Sequence, residues 1–153
     1  MHPADPTDPA SPRLADFLCF AIYSANLAYG RAYRPILKKL GLTYTQYIAI
    51  VALWEKDDQT VGGLGQKLFL ESNTLTPILK KLEAMGYLCR RRDPEDERQV
   101  LVGLTDAGRR LREQARGMNL VAASGLPPAE FARLQKTIVT LRDNLVEAAA
   151  GKD

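Results

Sequence analysis

The sequence predicts a mainly α-helical fold that carries one small β-hairpin, an α+β arrangement. Over most of the chain the apolar residues recur at intervals of three and four, which is typical of helices that bury one face. Between residues 88 and 104 the interval falls to two, which is typical of strands. With 153 residues, 46% of them hydrophobic, the chain is long enough to bury a core.

A long first helix is predicted to follow a proline-rich start. Residues 1–12 contain four prolines and few apolar side chains, so we expect a disordered tail there. From Leu14 to Leu40 the apolar positions keep helical spacing. Pro35 lies inside this stretch and is expected to kink or break the helix, because proline lacks a backbone N–H.

Capping signals mark the start of the second helix. Thr43 and Gln46 form a T-x-x-Q capping box, in which each side chain bonds the other residue's backbone N–H, and the helix should run through Trp54. A short third helix is expected near residues 62–69, although three glycines in this segment weaken it.

The fourth helix is expected to begin at the candidate caps Ser72 and Asn73. Pro77 should then lie in about its first turn, and Gly86 should end it, since glycine favours the left-handed conformation that follows many helices. Leu88–Arg92 and 98–104 are predicted to be strands, joined by a charged turn at 93–97.

Two more helices are predicted in the C-terminal part. Thr105 should cap a helix that runs to about Ala123, and Pro128 suits the first turn of the last helix. The apolar stripe of that last helix steps by three and four residues, which suits packing along another helix.

This order of elements is that of a winged helix-turn-helix with long terminal helices. We expect one such domain over residues 13–153, with a DNA-binding lobe at about 44–104 and dimerisation helices at about 13–40 and 105–150. The fourth helix would enter the major groove of double-stranded operator DNA, and the hairpin, or wing, would reach an adjacent minor groove. Net charge is only +3, so basic residues at a DNA surface must be clustered.

The candidate DNA contacts lie on these two elements. On the fourth helix they are Ser72, Asn73, Thr74, Thr76, Lys80 and Lys81. On the hairpin they are Arg90, Arg92, Asp96 and Arg98. We expect Asp96 to orient Arg98 through a charge-assisted hydrogen bond.

Several segments resemble a known family. Those that resemble the recognition helix and wing of MarR-type regulators are 74–77, 93–98 and 104–108. Those that resemble the organic-hydroperoxide-sensing OhrR branch are 17–24, 33–35 and 42–47. The resemblance implies a dimeric, non-enzymatic repressor of a peroxide-detoxification gene that is released when an organic hydroperoxide oxidises Cys19. It also implies that the hydroxyls of Tyr33 and Tyr44 hydrogen-bond this cysteine.

Helix geometry limits how such a sensor is built. Cys19, Tyr23 and Tyr33 share one face of the first helix, so Tyr23 joins the candidate sensing residues. Fourteen residues separate Cys19 from Tyr33, which is roughly 21 Å along a helix axis. The two side chains would meet if the first helices of two subunits ran antiparallel across a twofold axis, so we expect a homodimer.

The second cysteine, Cys89, is assigned no role. Members of the branch with a resolving cysteine carry it in the C-terminal half, whereas residues 105–153 contain none. Cys19 is therefore expected to act alone and to be capped by a low-molecular-weight thiol, or overoxidised, after its first oxidation.

Other classes of protein fit the sequence less well. Its apolar runs are too short for a membrane span and its start lacks an export signal, so we expect a cytoplasmic protein. A single histidine argues against a zinc site, and no cofactor is expected. Three alternatives stay open: a MarR-type repressor released by a non-covalent apolar or phenolic ligand, a thiol peroxidase, and a dimeric module that does not bind DNA.

Overall fold

The computed structural model describes residues 12–117 and 119–151, and residues 1–11 of the predicted tail lie outside this description. The chain divides between Arg116 and Gly117 into two compact units. The described elements of the first unit are a 3-10 turn (Leu14–Asp16), α1 (Leu18–Leu40), α2 (Tyr44–Glu55), β1 (Gln59–Thr60), α3 (Val61–Leu68), α4 (Ser72–Ala84), β2 (Leu88–Arg92), β3 (Val100–Leu104) and α5 (Asp106–Gln114). Those of the second are α6 (Leu120–Ser124) and α7 (Pro128–Ala150). The mainly helical class with a small sheet is confirmed.

The first helix, α1, starts later than predicted and runs through Pro35. It starts at Leu18 because Phe17 has an extended backbone that separates it from the preceding 3-10 turn. Pro35 does not break the helix, although it removes one backbone hydrogen bond. Ile36 and Leu40 are buried in the following turn, and this burial stabilises the helix beyond the proline.

The predicted capping box at the start of α2 is confirmed. The N–H of Gln46 donates to the Thr43 hydroxyl over 3.3 Å, and the N–H of Thr43 donates to the Gln46 side chain over 3.0 Å. Both bonds satisfy donors that the first turn of a helix leaves free. The short third helix is also confirmed as α3, with Thr60 as its cap.

The start of α4 differs from the prediction. Its N-cap is Glu71, which makes no side-chain capping bond, so the prediction of Ser72 or Asn73 as the cap is wrong. The Glu71 carbonyl accepts from Thr74 and Leu75 instead, and Ser72 is the first helical residue. Pro77 is the sixth residue of α4 and lies in its second turn. Gly86 adopts φ +83° just beyond the helix, as predicted.

The hairpin belongs to a three-stranded antiparallel sheet with the order β1-β3-β2. Leu88 faces Leu104 and Arg92 faces Val100. β3 begins two residues later than predicted because Gln99 closes the turn, donating to the Asp96 carbonyl over 2.9 Å. β1 was not predicted, since its two residues are too few to show an alternating pattern.

The core of the first unit lies between α2, α3, α4 and the sheet. Its fully buried large side chains are Ile50, Leu53, Leu64, Leu75, Leu79, Leu82, Leu88 and Val102. Three of them form one stripe on α4, so the polar start of that helix stays on the surface.

In the C-terminal part, the prediction of one helix from Thr105 to about Ala123 is wrong. α5 ends at Gln114, and Gly117 adopts φ +105°, a conformation that a continuous helix cannot contain. Asn119 then caps α6, accepting from the N–H of Ala122 over 3.0 Å. In the second unit α7 carries Pro128 in its first turn, as predicted.

Candidate functional site

Cys19 is the second residue of α1, and its side chain is exposed and free of any disulfide. It therefore lies among the first backbone N–H groups of the helix, which have no partners within the helix and make this end positive. Tyr23 lies one turn further on the same face and is also exposed.

Tyr33 and Tyr44 are brought together at the other end of α1. Their ring centroids lie 5.2 Å apart, and the ring of Tyr47 lies 5.9 Å from that of Tyr33. Burial and the neighbouring phenols raise the pKa of Tyr33 to about 12, and burial and Tyr44 raise that of Tyr47. The phenols of Tyr33 and Tyr47 are therefore protonated at neutral pH, and their O–H groups remain hydrogen-bond donors.

The sulfur of Cys19 and the tyrosine pair do not meet within one chain. Cys19 and Tyr33 both belong to the continuous α1, fourteen residues apart, which places them roughly 21 Å apart along its axis. The structure thus assembles half of the predicted sensing site, the two tyrosines, and leaves Cys19 without them.

The N-terminal half of α1, together with Phe17 just before it, exposes apolar side chains. The exposed large ones are Phe17, Leu18, Phe20, Ile22, Tyr23, Leu27 and Tyr29. Exposed apolar side chains clustered along one helix are typical of a surface that another molecule covers.

A second candidate region is a groove between the start of α4 and the wing. It encloses a pocket of about 370 Å³. The polar and charged side chains that line it are Thr60, Ser72, Thr76, Arg90, Arg98 and Gln99. Four of these six are predicted DNA contacts, drawn from both elements that the sequence pointed to. The remaining predicted contacts on α4 are exposed: Asn73, Thr74, Lys80 and Lys81.

The tip of the wing is held by one ion pair and by hydrogen bonds. Arg98 donates from Nε to Asp96 Oδ1 over 3.0 Å and from Nη2 to Oδ2 over 3.3 Å, which confirms the expected pairing. These bonds lower the pKa of Asp96. The Arg98 side chain is still 90% exposed, so it is oriented by Asp96 and remains accessible. Arg92 donates to the Glu97 carbonyl over 2.8 Å and closes the turn.

Arg90 is held by a partner that the sequence did not suggest. Its Nη2 lies 3.1 Å from Glu83 Oε1, and its backbone N–H donates to Glu83 Oε2 over 2.8 Å. Because Glu83 belongs to α4, this pair ties the first wing strand to the helix beside it.

The base of the wing is anchored by Asp57, which follows α2. Its Oδ1 accepts from the N–H of Leu104 over 2.8 Å, and its Oδ2 accepts from Arg109 over 3.1 Å. Burial acts to raise the pKa of Asp57, but the hydrogen bonds from Leu104, Asp58 and Arg109 outweigh it and hold the pKa below its usual range. One carboxylate therefore joins the end of β3 to α5.

Among residues 12–117 and 119–151, no group of three or more His, Cys, Asp or Glu side chains is placed to hold a metal ion. No helix in the same ranges combines the length and the apolar character that crossing a membrane requires.

Comparison with known proteins assigns the family. The model of the family "Transcriptional regulator SarA/Rot" matches residues 31–114. The organic hydroperoxide resistance transcriptional regulator of Bacillus subtilis (strain 168) is 38% identical over 135 residues, which are 87% of this chain and 92% of that protein. The wild-type MarR structure from E. coli has a TM-score of 0.67 at 26% identity, covering 82% of this chain and 96% of MarR. The chain belongs to the MarR family of winged-helix transcriptional regulators.

The similarity extends to a regulator solved with DNA. The structure of reduced AbfR bound to DNA has a TM-score of 0.73 at 36% identity, covering 88% of this chain and 95% of AbfR. AbfR, from Staphylococcus epidermidis, has also been solved in disulfide and overoxidised forms. The resemblance to the MarR family, and to its OhrR branch, is thus confirmed by comparison along most of the chain.

Several residues of this MarR-family site were missed at the sequence level. Tyr47 and Trp54 lie seven residues, or about two turns, apart on α2. This spacing predicts that they share one face of the helix and could have been used to find them. No sequence signal identified Glu83, Asp57 or Arg109, because the pairs that they form depend on the tertiary fold.

We expect Asp57→Asn to lower the free energy of unfolding at pH 7 by about 2 kcal/mol, because bonds to a carboxylate are stronger than bonds to an amide. The pKa of Asp57 is lower in the folded state, so this stabilisation is present above the ordinary carboxyl pKa and is lost as pH falls through the folded value. Urea denaturation at a series of pH values should show the difference from wild type shrinking as the solution is acidified.

Glu113→Gln is the matched control. It neutralises an exposed carboxylate whose partner, Arg116, is also exposed, and should cost about 0.5 kcal/mol or less. An Asp57→Asn deficit that stays constant from neutral to acid pH would contradict the role given to the Asp57 charge.

Proposed function

We propose that this MarR-family regulator is a homodimeric repressor that binds operator DNA and releases it when an organic hydroperoxide oxidises Cys19. The observation that carries the proposal is the placement of Cys19 at the start of α1 and of Tyr33, which packs against Tyr44 of α2, fourteen residues further along the same continuous helix. The 38% identity to the B. subtilis organic hydroperoxide resistance regulator supports it.

The proposed dimer pairs the two α1 helices in antiparallel fashion across a twofold axis. In that arrangement Cys19 of each protomer meets Tyr33 and Tyr44 of its partner, and Tyr23 lies beside it. The exposed apolar surface of α1 supports this pairing, because a twofold interface buries the same patch of both subunits.

The sensing chemistry follows from the groups at the shared site. Tyrosine hydroxyls that donate to the sulfur, together with the positive end of α1, favour the thiolate, which is the nucleophilic form. The thiolate attacks the O–O bond of the hydroperoxide, the sulfur gains one oxygen as sulfenic acid, and the alkoxide leaves and takes a proton to become an alcohol. A low-molecular-weight thiol then condenses with the sulfenic acid, giving a mixed disulfide and water.

For DNA, we propose that the exposed start of α4 enters the major groove. Ser72, Asn73, Thr74 and Thr76 would contact base edges and phosphates there, and Lys80 and Lys81 would contact the backbone. Arg98, oriented by Asp96, would enter the minor groove beside it, with Arg90 and Arg92 supporting the wing. The similarity to AbfR, which was solved with DNA, supports this assignment.

Release follows if oxidation shifts one subunit against the other. The two recognition helices of a dimer must match one turn of DNA, about 34 Å, so a change at a site shared by both subunits alters their fit to the operator.

Cys19→Ser tests the sensor, and Cys89→Ser is its matched control. In gel shifts on an operator selected from random duplex DNA, both variants should bind like wild type. Cumene hydroperoxide should release the wild-type protein from the operator. Cys19→Ser should stay bound, because serine cannot be oxidised in this way. The Cys89 variant should be released normally.

Release of Cys19→Ser by cumene hydroperoxide at the wild-type level would refute peroxide sensing through Cys19. Release of the protein by a phenolic ligand instead would support the non-covalent alternative.

Arg98→Ala and Lys80→Ala test the DNA contacts, with Arg116→Ala as a control outside the wing and α4. Arg98→Ala should weaken operator binding by about tenfold or more, through loss of its groove contact. Lys80→Ala should reduce the salt dependence of log K by about 0.9, the value for one phosphate contact. Titrations by fluorescence anisotropy at several salt concentrations measure both. Affinity and salt slope that match the Arg116 variant would exclude these two contacts.

A further inference from the structure

The helix α2 connects the tyrosine pair to the base of the wing. Tyr44 and Tyr47 lie in its first turn, beside Tyr33 of α1. Two turns further along, the ring of Trp54 stands edge-on to Tyr47, with centroids 6.2 Å apart and planes at 80°. The rings of Tyr44, Tyr33, Tyr47 and Trp54 thus form one continuous series of aromatic contacts.

Trp54 is bonded directly to the element that follows the wing. Its Nε1–H donates to the Gly108 carbonyl over 2.9 Å. Gly108 lies in the first turn of α5, whose cap Thr105 directly follows β3. The indole thus holds the point at which the chain leaves the wing.

The contacts around Gly108 leave no free space. A Cβ at this position would lie 2.0 Å from the carbonyl oxygen of Tyr87, which immediately precedes β2. The same carbonyl accepts from the N–H of Thr105 over 3.1 Å. Both ends of the wing therefore meet at Gly108.

We propose that α2 transmits the state of the tyrosine pair to the wing, and that Trp54 is the positioning residue that couples them. The inference rests on the proposed function: oxidation of Cys19 alters the tyrosines it contacts, and Tyr47 and Trp54 carry the change to Gly108. The tie from Asp57 to Leu104 and Arg109, just beyond the same end of α2, makes this end of the helix and the wing base move together.

Tryptophan fluorescence tests this in the unmodified protein, because Trp54 is the single tryptophan of the sequence. One equivalent of cumene hydroperoxide should change its emission at the rate at which Cys19 gains one oxygen atom in intact-mass measurements. Cys19→Ser should show no change. Unchanged emission during complete oxidation and operator release would overturn the inference while leaving the proposed function intact. Failure of Cys19 to oxidise would defeat the proposed function, and the inference with it.

Trp54→Phe tests the hydrogen bond, since it keeps an aromatic ring and removes the N–H donor. Its Cys19 should oxidise at the wild-type rate, and reduced protein should still bind the operator. The ratio of reduced to oxidised operator affinity should fall about tenfold, because coupling is lost while sensing is retained.

Glu55→Gln is the matched control at the same end of α2. It removes the ion pair between Glu55 and Lys67 of α3. The ratio of reduced to oxidised operator affinity should stay at the wild-type value. A Trp54→Phe ratio equal to that of Glu55→Gln would overturn the inference. If Trp54→Phe does not fold, as judged by circular dichroism, the fluorescence result on the wild-type chain decides the question.

Discussion

The uninterrupted course of α1 is the constraint on which the account depends. A continuous α-helix keeps Cys19 and Tyr33 roughly 21 Å apart, and no rearrangement of side chains closes that distance. The tyrosine pair is nevertheless fully assembled within one chain, and burial and neighbouring phenols raise the pKa of Tyr33 to about 12, so its O–H remains a donor at neutral pH. A sensing site that uses both groups must therefore be shared between two copies. Under the proposed function, sensing would therefore take place at the dimer interface, where a local chemical change would alter the spacing of the two DNA-binding surfaces.

The wing shows how a chain of net charge +3 arranges a local cluster of arginines. Several of its arginines bind partners inside the protein: Arg90 pairs with Glu83, Arg91 with Asp58, and Arg92 with a backbone carbonyl. These contacts position the hairpin, and the Arg98 side chain is presented almost fully to solvent. The acidic residues near the tip, which would otherwise repel phosphate, include the one that orients this arginine.

Local signals in the sequence predicted much of the fold. The capping box of Thr43 and Gln46, the helix stop at Gly86 and the alternation of the wing strands each depend on residues close in sequence, and each was confirmed. The Asp96–Arg98 pair is local too. The predicted cap of α4 was wrong because several adjacent polar residues suit a capping position, and in the structure the N-cap is Glu71. The break before α6 depends on the backbone of Gly117, whose conformation helical periodicity does not reveal.

Contacts that link distant segments were not predictable from one sequence. Arg109 and Asp57 are 52 residues apart, and Trp54 and Gly108 are 54 apart, so only the folded structure brings them together. These are the contacts that join α2, the wing and α5. Sequence motifs were thus enough to find the candidate residues, whereas the contacts that connect these residues were seen only in the structure.

Mixed dimers test the shared site most directly. One protomer carries Cys19→Ser and the other Tyr33→Phe, and the two are separated from homodimers by different affinity tags. If each site combines Cys19 of one chain with Tyr33 of the other, the remaining Cys19 faces an intact Tyr33 and oxidises at the wild-type rate under cumene hydroperoxide. Oxidation at the rate of the Tyr33→Phe homodimer would show that both groups act within one chain, and would contradict the account.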